Sequence, residues 1–120
     1  MTDKIFNDWL DKILITEKPS ADIVAYYFGI IETSNGYEMY LVGSNEFDAD
    51  DDDWACNADF EPKDKYLKLG QAGADWEEIL SEIKQNIENY IQKPDYKNSF
   101  LEKAKAIATG FDEGDLYRIK

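Results

Sequence analysis

The chain has no histidine and a single cysteine, Cys56. Without histidine no Ser-His-Asp or Cys-His nucleophile can be assembled. A lone cysteine cannot supply a Cys/His zinc set, nor an internal disulfide framework. A free thiol fits a reducing compartment. Neither G-x-x-x-x-G-K-[ST] nor G-x-G-x-x-G occurs, so neither phosphate-cradling loop is supported. Long apolar runs are missing too. The segment after Met1, TDKIFNDWLDKILITEK, meets a charge every two or three residues, which excludes a signal-peptide or membrane-spanning run there. The expectation is a soluble, cytoplasmic protein.

Positive charge is also scarce. Thirteen basic residues face 26 acidic ones, a formal charge of −13. That balance argues against direct nucleic-acid binding, which needs lysine and arginine to displace phosphate counterions. It disfavours anionic membrane surfaces. It permits steered association with a basic protein, although plain solubility accounts for the total charge as well. At 120 residues, 43% hydrophobic and 14% aromatic, residues 1–120 are expected to form a single domain around one core.

Apolar periodicity gives the elements. Ile5, Phe6, Trp9, Leu10, Ile13 and Leu14 share one helical face, with Thr2 as N-cap and Pro19 closing the segment. The runs IVAYYFGII and EMYLVG flank Ser34-Asn35-Gly36-Tyr37, and Asn-Gly between such runs is a strong hairpin signal. A type I′ turn there sets Glu32 opposite Met39 and Ile30 opposite Leu41. Trp54–Ala58 and Tyr66–Leu69 read as further short strands. Asp75 caps a second helix, with Glu78 at capping-box spacing and a stripe of Trp76, Ile79, Leu80, Ile83, Ile87, Tyr90 and Ile91. Phe100, Leu101, Ala104, Ile107 and Ala108 then suggest a third helix ending at Gly110, followed by a turn at Glu113-Gly114 and a short strand, LYRI. The fold class expected is α+β: an N-terminal helix, an antiparallel β-sheet with an Asn-Gly hairpin, two C-terminal helices and a short final strand.

One stretch stands out. Asn45–Pro62, NEFDADDDDWACNADFEP, holds eight carboxylates and no lysine or arginine, yet includes Phe47, Trp54, Cys56 and Phe60. Three readings compete for it. As a metal site, Asp48, Asp50, Asp52 and Asp59 fall at positions 1, 3, 5 and 12 of an EF-hand register, but Asp53 stands where the turn needs glycine. As a binding surface, the carboxylates steer a basic partner and Trp54 anchors it. As a solvated loop, the aromatics simply tie it to the sheet; on a strand, Trp54, Cys56 and Ala58 would share a core-facing side, with Cys56 a small buried residue. Carboxylate pairs for acid–base work, Glu32 with Glu38 or Asp112 with Asp115, are not selected by any spacing, so no enzyme, metal or cofactor is expected.

The hairpin YYFGIIETSNGYEMYLVGS, the run FDADDDDWACNADFEP and the tail GFDEGD together resemble small acidic immunity proteins of bacterial toxin–immunity systems. The resemblance is to the class rather than to one family of it. It implies a stoichiometric, non-enzymatic inhibitor of a basic, nuclease-like toxin domain, acting by occlusion of the active site or substrate groove. The partner-binding residues are then Glu46, Asp48, Asp50, Asp51, Asp52, Asp53, Trp54 and Asp59. The alternatives are a DNA-mimic or anti-nuclease inhibitor, and a structural or regulatory domain whose acidic loop serves solubility or takes up calcium. Oligomeric state stays open.

Overall fold

The computed structural model describes residues 3–112 and 114–120. Among these the order is α1 (Asp3–Thr16), β1 (Ala25–Thr33), β2 (Gly36–Ser44), β3 (Tyr66–Gln71), α2 (Trp76–Tyr90), β4 (Ala106–Phe111) and β5 (Tyr117–Arg118). Short 3-10 turns lie at Asp52–Cys56 and Pro94–Tyr96. The five strands form one sheet in the order β3-β2-β1-β4-β5. The architecture is α+β.

Helix α1 forms as its periodicity predicts, burying Phe6, Trp9, Leu10 and Ile13. The Trp9 indole donates to the Asp64 carbonyl at 2.8 Å, so its one polar group is satisfied. Helix α2 is capped by Asp75, whose carboxylate accepts from the Glu77 amide at 3.2 Å. It buries Ile79, Leu80, Ile83, Ile87 and Tyr90. The proposed N-cap Thr2 and the turn residue Glu113 lie outside the described residues.

Three expectations are corrected. The third helix does not form: 106–111 is instead strand β4, parallel to β1 with Ala25 beside Ala106 and Gly29 beside Gly110. The sheet is therefore mixed rather than antiparallel. Ile107 faces the helices while Ala106 and Ala108 face the other side, and all three are buried. A strand apolar on both faces shows no alternation in sequence, and two alanines made this one look helical.

The hairpin does form, but the two residues of its turn are Ser34 and Asn35. Thr33 pairs with Gly36, Glu32 with Tyr37 and Ile30 with Met39. Neither Ser34 nor Asn35 has positive φ, so this is not a type I′ turn. The Thr33 hydroxyl accepts from the Asn35 amide at 3.3 Å and donates to the Gly36 carbonyl at 3.2 Å, holding the turn one residue early. Gly36 is needed for a different reason. It sits at φ 128°, and a Cβ there would lie 2.0 Å from the Gly70 carbonyl oxygen of β3. Finally, Trp54–Ala58 is no strand; its first part is the 3-10 turn.

The sheet has two covered faces of different kinds. On one, Tyr26, Phe28, Ile30, Met39, Leu41 and Ile107 pack under α1 and α2. On the other, Ala25, Tyr27, Val42, Ala106 and Ala108 pack with Trp54, and Phe47, Tyr40, Ala55 and Leu116 lie against them. Among the described residues no α-helix covers this second face; the acidic loop does.

Candidate functional site

The acidic loop is closed at its base by a one-residue ladder. The Gly43 amide donates to the Phe60 carbonyl at 2.9 Å, and the Phe60 and Asp59 amides return to the Gly43 carbonyl at 3.0 Å. From there the loop folds back over the sheet. Trp54, only 4% exposed, enters the small-residue face, and Phe47 packs edge-on against it at 5.5 Å between centroids. The Arg118 guanidinium of β5 lies 4.8 Å from the Phe47 ring centre, closing that side.

Several carboxylates build the loop itself. Asp48 accepts from the Asp50 amide at 2.9 Å, and Asp51 caps the 3-10 turn by accepting from the Asp53 amide at 3.0 Å. Asp59 accepts from the Asn45 amide at 2.9 Å, and Glu46 from the Asn57 side chain at 3.0 Å. Asp50, Asp52 and Asp53 are exposed, and among the described residues their side chains hold no hydrogen bond or salt bridge. Among the described residues, only Glu61 of the eight carboxylates pairs with a cation, Lys65 at 2.6 Å.

The eight predicted site residues thus divide. Seven are exposed acids on one loop; the eighth, Trp54, is buried beneath it. Trp54 does the structural work that the competing reading assigned to it, although through a turn rather than a strand. Cys56, expected in the core, is exposed, because the 3-10 turn carries Trp54 inward and the thiol outward. The EF-hand register is not formed either. Asp48 and Asp51 aim oxygens at backbone amides, and among the described residues no three His, Cys, Asp or Glu side chains gather as a metal-binding group. Glu32 and Glu38 point to opposite faces of the sheet, since Glu32 pairs with core-facing Tyr37 and Glu38 with Ile31.

Sequence reasoning passed over a second group beside the loop. Tyr27, Tyr40, Asp52, Cys56, Asp112 and Leu116 border a cleft of about 360 Å³. The Tyr40 ring crosses the sheet over Gly29, where a Cβ would sit 2.1 Å from it, and its hydroxyl donates to the Asp112 carboxylate. The Tyr27 hydroxyl donates to the Gly110 carbonyl at 2.9 Å. Burial, and then the nearby Asp112 charge, push both phenols well above the ordinary tyrosine range, so both remain neutral donors. The readable signal was the glycine itself, inside a strand; the misplaced turn would have set it opposite Val42, whereas the structure pairs it with Tyr40. A glycine inside a strand marks the close approach of another group.

No protein-family model, curated protein or solved structure matches the chain. Among the described residues no helix is long and apolar enough to cross a membrane.

Proposed function

We propose that this chain is a cytoplasmic binding protein for a basic partner, an immunity-type inhibitor that covers the active site or substrate groove of a basic toxin domain. The observation that carries the reading is the state of the Asp50–Asp53 run. Three of its four side chains are exposed and uncompensated, on a turn pinned to the sheet by Trp54. Self-repulsion opposes such a cluster, while the buried indole, the Asx bonds and the Gly43–Phe60 ladder hold it in place. Lysines and arginines of a partner relieve that repulsion on docking. They also gain long-range steering, which salt screens over about 10 Å at 0.1 M. The protein acts by stoichiometric occupancy, without turnover.

Affinity capture from the native cells at low salt, with elution by a salt gradient, tests this. The expected result is one basic protein at near-equal stoichiometry whose own activity is blocked by the chain. Scattered basic proteins eluting together, none of them inhibited, would reduce the loop to generic charge.

A further inference from the structure

The helical stripe of α2 includes Trp76, yet this indole is 51% exposed, whereas Trp9 and Trp54 are buried. It stands between two clefts of about 360 and 340 Å³, and Trp76, Leu80 and Tyr117 line both. Its ring meets Phe111 edge-on at 5.9 Å, which fixes its orientation. Carboxylates line both clefts: Glu77 and Glu88 the first, Glu32 and Asp115 the second. The one cation bordering either cleft, Lys84, lies 4.7 Å from the Tyr117 ring centre. The second cleft also runs on toward the acidic loop. Phe111 and Gly114 line it, and they line the Asp52 and Cys56 cleft as well.

We propose that Trp76 is the anchor of the partner interface, taking arginine or lysine side chains from a basic segment of that partner. An arginine laid on the indole gains a cation–π contact and covers its apolar stem, while carboxylates lining the clefts accept N–H groups of the bound basic segment. Charge complementarity selects this occupant, because four carboxylates face one lysine that is already engaged with a ring. Tryptophan and arginine are also the residues over-represented where binding energy concentrates. The proposal rests on the basic-partner reading and moves its apolar anchor from Trp54 to Trp76. The acidic loop steers, and the Trp76 clefts hold.

The test is NMR titration of the nitrogen-15-labelled chain with two short peptides of equal positive charge, one of arginine and leucine, the other of lysine and glycine. Trp76→Phe assigns the indole signal. The expected result is a saturable shift of the Trp76 indole N–H by the arginine–leucine peptide, with the Trp9 and Trp54 signals still. Trp76→Ala should weaken that binding about tenfold or more, and Trp76→Phe should weaken it less. Shifts confined to the acidic loop would overturn the Trp76 anchor and leave the basic-partner reading standing. No binding of either peptide would overturn both. A Trp76-dependent dimer in sedimentation would also overturn the proposal, by assigning the surface to a second copy.

Discussion

The two faces of the sheet are covered by unlike means. Under the helices, large side chains interlock: Phe6 meets Trp9, Phe28 and Tyr90 at centroid distances of 6.0–6.1 Å. Beneath the acidic loop the sheet offers Ala25, Ala106 and Ala108 instead, and Trp54 packs against those small residues while the Tyr40 ring covers Gly29. Two amphipathic helices cover the first face with many moderate contributions. The second depends on a few side chains from a segment that is otherwise charged. A loop that repels itself can stay folded when its few apolar residues find a surface cut to receive them.

The largest break in this comparison is Trp54→Ala. Truncating a buried aromatic costs about 3–5 kcal/mol, the same range expected for Phe28→Ala on the helix face. Urea unfolding should therefore show comparable losses. A cost under about 1 kcal/mol, the size of an ordinary surface change, would make the loop a loose flap. Gly29→Ala comes next. Its Cβ would drive into the Tyr40 ring, an overpacking of about 1–3 kcal/mol. Tyr40→Ala in the same chain should recover part of that loss, since contacting residues are non-additive.

Alkaline pH acts on both faces alike. Tyr27 and Tyr40 on the loop side, and Tyr26 and Tyr90 in the core on the helix side, all have phenols raised by burial. The unfolded chain therefore gives up these protons first. Their contribution is complete below about pH 10 and is lost as pH rises beyond it. Thermal melts from pH 8 to 12, taken beside the absorbance of ionised tyrosine, should show stability and ionisation changing together. Tyr40→Phe should flatten part of the decline. The smallest effect is Tyr27→Phe, which removes the hydroxyl's hydrogen bond to the Gly110 carbonyl at a cost of about 1 kcal/mol.

Much of the first face was legible in advance. The stripes of α1 and α2, the existence of the β1–β2 hairpin though not its register, β3 and β5 all carry periodicity or turn chemistry that local physics reads directly. The second face was not. Strand β4 is apolar on both sides, so its Ala106, Ile107 and Ala108 matched a helix as well as a strand. Trp76, expected on the buried stripe, is exposed, and Trp54, which could have been anchor or core, is buried, for a related reason. Trp76 opens α2, with no preceding turn of helix to cover it, whereas Trp54 finds its partners in strands about 50 residues away in β4 and nearer in β1 and β2. The Asp-x-Asp spacings at 48–50 and 51–53 were the overlooked clue, because they are spacings at which an aspartate bonds a backbone amide two residues on.

The most direct test of the account is the association rate with the captured basic partner as ionic strength is varied. Wild type is compared with the chain carrying Asp50→Asn, Asp51→Asn, Asp52→Asn and Asp53→Asn. Asparagine caps as well as aspartate, so the 3-10 turn should survive. Wild type should associate fast at low salt and slow steeply as salt rises. The substituted chain should be slow, nearly independent of salt, and unchanged in stability to within about 0.5 kcal/mol. Equal rates and equal salt dependence for the two chains would contradict the claim that this loop presents its charge to a partner.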